Sequence, residues 1–223
     1  MTAANILPAP WSLQGRGYLL LYWFSRQWLQ QSGLLPNTLA PLSRGGLGAL
    51  MLVDYQHGDP NPYQEMLLLP GKFDFGVCRR HCISHIVVST EQSVASGRAN
   101  WAIPKRLAQF DWQQQGRDGF ISINQQGKLA GHWQLHHYPM PLPMHTKLLP
   151  MPLAHPNGEQ LLLTDYIGYG RAYPATLVDF HPHDGPLTPL AQLSPLACFY
   201  IDPFRLRFPL ARALTLPQPL APL

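Results

Sequence analysis

Short runs of apolar residues, separated by clusters of glycine, proline, asparagine and aspartate, dominate the pattern along this chain. Few runs repeat with the period of about 3.6 residues that marks an amphipathic helix, and many contain the β-branched and aromatic residues that favour strands. Turn-forming residues from His57 to Pro62 separate two of the runs, which predicts two neighbouring antiparallel strands. Predicted strands cover Tyr18–Phe24, Leu47–Tyr55, Glu65–Leu69, Cys82–Ser89, Gln109–Gln113, Gly119–Asn124, Leu129–Tyr138, Gln160–Tyr169 and Ala172–Phe180. This spacing predicts a mainly β protein, either an antiparallel barrel or a sandwich.

Two short helices are predicted between these strands, which makes the class α+β in detail. Ser25 is suited to cap the first helix, and Gly33 stands at the position after a helix that glycine favours. Ser89 and Gln92 fit a capping box, which predicts a second helix that ends near Gly97. Helical periodicity is scarce elsewhere along the chain.

Two proline-rich stretches are predicted to lie outside the regular sheet. The first, residues 139–156, also contains three methionines and predicts an extended loop that covers a cavity. The second, residues 214–223, has no charge and predicts an irregular surface segment. Neither side of the first stretch shows its own complete set of strands, so we expect residues 1–223 to form a single domain.

Composition and charge exclude several classes of function. Charged residues make up only 13% of the chain, against about 25% in typical soluble domains. The net charge of +4 comes from scattered lysines and arginines, so no nucleic-acid interface is predicted. No apolar run is long enough to span a membrane, and residues 1–14 lack the basic start and apolar core of a signal peptide. Three cysteines do not make a disulfide framework, so we expect a soluble, cytoplasmic protein.

A single lysine in a mostly apolar stretch, Lys105, is the main candidate for chemistry. It follows Pro104 and precedes Arg106. An ammonium group has no lone pair, so an amine nucleophile needs its pKa lowered from about 10.4 towards neutrality. Burial and a neighbouring permanent positive charge both lower such a pKa. Lys105 is therefore the candidate nucleophile and Arg106 the candidate tuning cation, with a solvated turn after Pro104 as the alternative.

Two further charged residues are candidates to share a site with Lys105. Glu65 begins a predicted strand, where a side chain either faces solvent or points into a cavity. A solvated strand end is the commoner case for a glutamate. Arg16 lies between Gly15 and Gly17, which we interpret as a turn that enters the strand at Tyr18. Such an arginine is either a surface residue or a clamp for an anion.

Three segments of the chain resemble the acetoacetate decarboxylase family. The segment Gly97–Ala108, GRANWAIPKRLA, resembles that family's active-site segment, in which a Gly-Arg pair precedes a Pro-Lys turn followed by leucine. Gln14–Tyr18 resembles the family's early arginine strand, and Tyr63–Glu65 resembles its Tyr-X-Glu segment, in the same order and at similar spacing. The resemblance covers Pro10–Phe110, whereas the second half of the chain matches only in its general β character.

The resemblance implies a cone-shaped, largely antiparallel β-barrel with an internal cavity and a lysine that forms a Schiff base with a small keto acid. Carried over to this sequence, Lys105 is the Schiff-base lysine, Glu65 an active-site glutamate and Arg16 an arginine at the cavity. Arg106 occupies the place of a neighbouring lysine. Activation of the lysine by desolvation or by a nearby cation is established for this family. The resemblance implies no metal and no organic cofactor, because the imine is the electron sink, and it implies a homo-oligomer.

Departures from the family pattern leave three activities open. Ala99 stands where the family has a glutamate after the Gly-Arg pair, and Leu50 stands, without gaps, at a second acidic position. The planar fork of Arg106 is suited to bind a carboxylate instead of tuning an amine. The first activity is decarboxylation of a small β-keto acid by a carbon–carbon lyase. The alternatives are Schiff-base aldol or dehydration chemistry on a larger keto acid, and non-catalytic binding of a small molecule.

A rival constellation consists of Cys78, His81, Cys82 and His85. Thiolate and imidazole groups are good zinc ligands, but a structural zinc site usually presents two ligand pairs at short spacings. No second cysteine pair is present, because Cys198 stands alone. We therefore interpret these residues as buried thiols and ordinary histidines, and we predict no metal site.

Overall fold

The computed structural model describes residues 5–60, 62–183 and 185–220. Strands dominate this part of the chain, and two α-helices and two short 3-10 helices interrupt them. The α-helices are α1 (Arg26–Gln31) and α2 (Glu91–Trp101), and the 3-10 helices are Ala40–Leu42 and Thr188–Gln192. The strands are β1 (Trp11–Phe24), β2 (Ser43–Gly58), β3 (Tyr63–Leu69), β4 (Lys72–Asp74), β5 (Arg79–His81), β6 (His85–Val88), β7 (Arg106–Leu107), β8 (Gln109–Gln115), β9 (Asp118–Gln125), β10 (Lys128–His137), β11 (Leu142–His145), β12 (Leu153–Thr164), β13 (Ile167–Pro182), β14 (Ala197–Phe208) and β15 (Arg212–Leu220).

The strands form one sheet in the order β15-β12-β5-β4-β2-β1-β14-β13-β10-β9-β8. Outside this path, β3 pairs with β2 and β6, β7 pairs with β6, and β11 pairs with β13. Almost every pair is antiparallel, and the exceptions are β6 with β7 and β5 with β12. The predicted mainly β class, with antiparallel pairing and a few short helices, is confirmed. The end strands β8 and β15 are not paired with each other in the described residues, so a closed barrel is not confirmed.

The central strands β1 and β2 separate two apolar clusters. Leu20 and Tyr22 of β1 pack in the first cluster, while Leu13 and Leu19 pack in the second. The second cluster surrounds the cavity described below and is named the cavity cluster. Alternating side chains of a strand point to opposite faces, so a strand that is apolar at nearly every position can supply both clusters.

The glycines on either side of Arg16 lie within β1 and do not form the turn that the sequence predicted. Strand β1 begins at Trp11, and its register with β14 shifts between Gly15 and Gly17. A Cβ atom on Gly17 would lie 2.5 Å from the carbonyl oxygen of Leu52, and one on Gly15 would meet the backbone of β2. These glycines therefore allow two strands to approach closely at a bulge.

The predicted first helix is confirmed as α1. The hydroxyl of Ser25 accepts a hydrogen bond from the backbone N–H of Trp28 at 3.1 Å. The helix is followed by Gly33 with φ of 73°, a conformation that favours glycine.

The second helix differs from its prediction at both ends. The side chain of Thr90 caps α2 by accepting from the N–H of Ser93, at 3.3 Å. The hydroxyl of Ser89 instead accepts from the N–H of Gln64 in β3, at 2.8 Å. The helix also continues through Gly97 and ends at Trp101. Tertiary contacts of Gly97, described below, explain why a glycine stands inside this helix.

The two proline-rich stretches contain more regular structure than predicted. Strand β11 lies within residues 139–156 and pairs only with β13 among the described strands. Residues of this stretch do line a cavity, as described below. The prediction of an irregular tail is wrong over residues 214–220, which belong to β15 beside β12, and residues 221–223 lie outside the described part. Proline is tolerated in such an edge strand.

None of the helices in the described ranges has the length and apolar character that crossing a bilayer requires. The organisation of residues 1–223 as a single domain stays a prediction.

Candidate active site

Lys105 lies in the short connection between α2 and β7, and its side chain is buried. Only 3% of the residue is exposed to solvent. The connection is fixed on both sides, because the N–H of Lys105 donates to the carbonyl of Ile103 at 2.8 Å, and Arg98 Nε donates to the carbonyl of Lys105 at 2.9 Å. The backbone is therefore held in place while the side chain extends inwards.

The amine of Lys105 forms an ion pair with Glu65. Nζ lies 2.8 Å from Oε2, and Glu65 is only 4% exposed. Oε2 makes no hydrogen bond of good geometry within the described chain, so the charge of Lys105 is what compensates it. Strand alternation positions the carboxylate, because Tyr63, Glu65 and Leu67 occupy the same face of β3. The structure thus brings together two of the four predicted site residues.

Three more side chains complete the contacts of this pair. Lys105 Nζ donates to the hydroxyl of Ser93 at 3.0 Å and to that of Tyr63 at 3.5 Å. It also lies 5.0 Å from the ring centre of Tyr63 and 5.5 Å from that of Trp11, within the range of cation–π attraction. Tyr55 donates to Oε1 of Glu65 at 3.3 Å.

Both phenols next to Glu65 stay protonated at neutral pH. Burial, and secondly the negative charge of Glu65, raise the pKa of Tyr55 well above its usual value. The same two causes raise the pKa of Tyr63. The hydroxyl of Tyr55 therefore keeps the proton that it donates to Glu65, and the hydroxyl of Tyr63 keeps a proton that it can donate to an anionic oxygen.

Gly97 of α2 packs directly against the stem of Lys105. A Cβ atom at this position would lie 2.6 Å from Cδ and 2.8 Å from Cε of Lys105. Glycine inside a helix costs roughly 0.5–1 kcal/mol relative to alanine. The glycine is nevertheless needed at this position, because the stem of Lys105 occupies the space that a larger side chain would fill.

Replacing Gly97 by alanine is expected to displace the amine of Lys105 from Glu65. We expect the rate at which this amine reacts with a carbonyl compound to fall about 10- to 100-fold, because misplacing a reacting group by about 1 Å has effects of this size. The matched control is Ala99→Gly, an exposed position of the same helix, which should cost about 1 kcal/mol of stability without lowering that rate. Rates of modification at Lys105 and urea unfolding of both variants measure this, and an unchanged rate in Gly97→Ala would contradict the packing argument.

The Lys105–Glu65 pair lies at the wall of a cavity of about 180 Å³. The wall is almost entirely apolar and comes mostly from β1, β2, β3, β13, β14 and residues 144–153, with single residues of β6 and α2. Residues 144–153 belong to the stretch that the sequence predicted to cover a cavity. The apolar side chains of the wall include Trp11, Met51, Met144, Met151 and Phe204.

Arg16 does not line this cavity. Its Nε instead donates to Oδ2 of Asp54 on β2, at 3.0 Å. The structure therefore pairs Arg16 with a carboxylate of the neighbouring strand and does not bring it to Lys105.

Arg106 also lies outside the cavity, although it follows Lys105 in the chain. Its side chain is exposed, as expected when successive residues of an extended segment point to opposite sides. Burial, and to a smaller degree the charge of Arg106, lower the pKa of His85 to about 4. The charge of Arg106 thus disfavours protonation of the His85 imidazole in β6.

The two positions where the family pattern has acidic residues are not part of the cavity wall. Leu50 is fully buried in the first apolar cluster, on the face of β2 opposite Met51. Ala99 is exposed on α2. A carboxylate at either position would not reach the cavity in this arrangement, so the departures remove no charge from the site.

Within the described ranges, no group of three or more His, Cys, Asp or Glu side chains is placed to hold a metal ion. Cys82 and His81 are buried, and burial raises the pKa of the Cys82 thiol and lowers that of His81.

Comparison with known protein families shows to which family the chain belongs. The family described as acetoacetate decarboxylase matches residues 3–142, which is more than half of the chain. The chain belongs to the acetoacetate decarboxylase family. The resemblance predicted over Pro10–Phe110 is confirmed, and the matched region contains both Glu65 and Lys105. No curated protein sequence matches the chain.

Solved structures of acetoacetate decarboxylases and related enzymes share this fold. One acetoacetate decarboxylase aligns with a TM-score of 0.71 at 14% identity, over 95% of this chain and 92% of its own. The acetoacetate decarboxylase of Legionella pneumophila aligns with a TM-score of 0.67 at 15% identity, over 97% and 93%. The enduracididine biosynthesis enzyme MppR, complexed with the condensation product of pyruvate and imidazole 4-carboxaldehyde, aligns at 0.66 and 17% identity, over 96% and 92%. Identities this low support the fold alone.

Several residues of the site were not singled out by the sequence. Ser93 and Gly97 are four residues apart on α2, so they share the helix face that meets Lys105. This spacing was a usable signal, but the predicted end of the helix at Gly97 concealed it. Tyr55 had no comparable signal, because its contact with Glu65 depends on the pairing of β2 with β3.

Proposed function

We propose that this protein is a carbon–carbon lyase that decarboxylates a small β-keto acid through a Schiff base on Lys105. The observation that supports this most is the amine of Lys105, buried in an apolar cavity 2.8 Å from the carboxylate of Glu65. A buried amine beside a base is the arrangement that nucleophilic catalysis by lysine requires. The family membership of the chain supports the same reaction.

Glu65 acts first as a base in this proposal. The ammonium of Lys105 transfers a proton to Oε2, which gives a neutral amine and a carboxylic acid. The transfer leaves the net charge of the pair at zero, so the apolar cavity does not penalise it as it would penalise an isolated charge. The amine then attacks the ketone carbon of the substrate.

Loss of water from the resulting carbinolamine forms the iminium. Glu65 and the phenol of Tyr63 are the groups near Nζ that can donate a proton to the departing hydroxyl. Tyr63 retains its proton because burial raises its pKa. The iminium is left with the positive charge that the ammonium had, opposite Glu65.

Decarboxylation follows from the iminium. The bond between the α-carbon and the carboxylate breaks, its electron pair forms a new C=C bond, and the iminium nitrogen accepts the displaced pair as a neutral enamine. Carbon dioxide leaves without charge, so an apolar wall destabilises the charged substrate more than the transition state. Protonation of the enamine carbon and hydrolysis then release the ketone and restore Lys105.

The finer description of the fold belongs to the same proposal. We infer that the sheet curves around the cavity as the cone-shaped barrel that the family resemblance implies. The common cavity formed by strands from both halves of the chain supports this. The reaction needs no metal or organic cofactor, because the imine accepts the electrons, and assembly into a homo-oligomer stays an expectation.

Trapping with borohydride tests the proposed intermediate. Incubation with 3-oxobutanoate and reduction should add a stable alkyl group to Lys105, which peptide mass spectrometry locates. Exposed Lys72 of β4 serves as the internal control and should remain unmodified. Equal modification of both lysines, or none at Lys105, would count against the Schiff base, and a non-catalytic binding protein would give the latter result.

Schiff-base aldol or dehydration chemistry is the second candidate. It is favoured by the shared fold of MppR, whose structure holds a condensation product of pyruvate. The same amine and carboxylate would serve both routes up to the enamine. Release of carbon dioxide from 3-oxobutanoate supports decarboxylation. Incubation with pyruvate and an aldehyde, followed by reduction, supports the alternative if the adduct on Lys105 has the mass of the condensation product and not of pyruvate alone.

A further inference from the structure

The charges at the cavity wall are unusually few for an enzyme that handles an acid. In the described part of the chain, only Glu65, Lys105 and Arg205 are charged residues of the wall. Glu65 and Lys105 neutralise each other. Arg205 lies between Phe204 and Leu206, whose side chains pack in the cavity cluster. Strand alternation therefore directs the exposed Arg205 side chain to the opposite face of β14.

The apolar part of the wall is adaptable. Met51, Met144 and Met151 all line the cavity. Methionine has an unbranched, flexible side chain that adjusts to apolar groups of different shape. A wall with three methionines and no available cation is suited to hydrocarbon and not to a second polar group.

The extent of the apolar wall adds to this argument. Apolar side chains of β1, of β14 and of residues 144–153 line the cavity in addition to those next to Lys105. A methyl group on the ketone contacts only a few of these side chains at once, so a longer apolar chain buries more apolar surface.

We propose that the substrate is a β-keto acid whose other ketone substituent is an apolar chain longer than methyl, with no second charged group. The proposal rests on the Schiff-base function above and names its substrate class. The single carboxylate is lost in the reaction, whereas the chain remains in contact with the methionines. A second carboxylate at the end of that chain would be buried without a partner, which strongly disfavours binding.

Two matched comparisons test separately the length of the substrate's apolar chain and the charge at its end. We expect kcat/KM for carbon dioxide release to rise about fourfold per added methylene from 3-oxobutanoate to 3-oxohexanoate, as apolar burial predicts. We expect 3-oxohexanoate to exceed 3-oxoadipate, which has the same carbon chain with a terminal carboxylate, by at least about 100-fold. Equal rates for either pair would overturn the proposal.

Borohydride trapping distinguishes an error in this substrate class from an error in the proposed Schiff-base function. The pair 2-pentanone and 4-oxopentanoate differs only in the terminal carboxylate and needs no decarboxylation. A borohydride adduct on Lys105 with 2-pentanone but not 4-oxopentanoate supports the substrate class, and the reverse result overturns it while leaving the Schiff base intact. If neither compound forms an adduct, the proposed Schiff base is wrong. The ligand class is then tested by which of the two compounds raises the melting temperature of the protein more.

A positive charge introduced at the wall should weaken the preference for the uncharged chain end. Met144→Lys adds an ammonium to the cavity wall, and we expect the preference for 3-oxohexanoate over 3-oxoadipate to fall at least about tenfold. The matched control is Met140→Lys, because Met140 is 61% exposed and does not line the cavity. An unchanged preference in Met144→Lys, or an equal change in both variants, would contradict the proposed role of the wall.

Discussion

Replacing Lys105 by methionine should abolish turnover and destabilise the fold at neutral pH. Turnover is lost because the thioether has no amine to form the imine. Stability falls because Glu65 keeps its burial but loses the charge that compensates Oε2. Breaking a buried ion pair by removing one partner typically costs about 3–5 kcal/mol. Methionine retains an apolar stem beneath Gly97, so the loss reflects the charge and not an empty space.

Urea unfolding of Lys105→Met and of the wild type at pH 8 measures this difference in stability. The double variant Lys105→Met with Glu65→Gln provides the control. Removal of both charges eliminates the unpaired carboxylate, so part of the stability should return. If Lys105→Met is as stable as the wild type at pH 8, the two side chains do not form a buried pair in solution.

The sequence singled out Lys105 and Glu65 but not the residues around them. Lys105 and Glu65 came from short segments that keep the family pattern, and the structure places them in contact. The predicted partners of this pair, Arg16 and Arg106, depended on the direction of side chains. Successive side chains of a strand point to opposite faces. Because Gly15–Gly17 was interpreted as a turn, this alternation, which directs Arg16 away from the cavity, was not applied to the segment.

The cavity could not be predicted from the sequence for a different reason. Its wall combines β1 and β3 with β13 and β14, strands that are far apart in the chain. Met51, Met144 and Phe204 therefore meet only through long-range strand pairing, for which no local periodicity gives a signal. The local features that were predicted correctly, such as the cap of α1 by Ser25, are those that a few consecutive residues determine.

Replacing Glu65 by glutamine should lower kcat/KM by roughly 10²- to 10⁴-fold, the range usual for loss of a general acid–base group. The amide has nearly the same shape but can neither accept the ammonium proton of Lys105 nor donate a proton to the departing hydroxyl of the carbinolamine. Borohydride trapping should slow in parallel, since imine formation is the step affected.

Tyr55→Phe is the matched control for this interpretation. It removes the other close contact of the Glu65 carboxylate, the 3.3 Å hydrogen bond to Oε1, but leaves the carboxylate and Lys105 in place. A single hydrogen bond to a charged group contributes about 1.5–3 kcal/mol, so the loss should be smaller than in Glu65→Gln. Glu65→Asp should recover part of the rate, because it retains a carboxylate. If Glu65→Gln and Tyr55→Phe lose activity equally, and Glu65→Asp recovers none of it, Glu65 orients Lys105 without exchanging a proton with it, and another group must accept that proton.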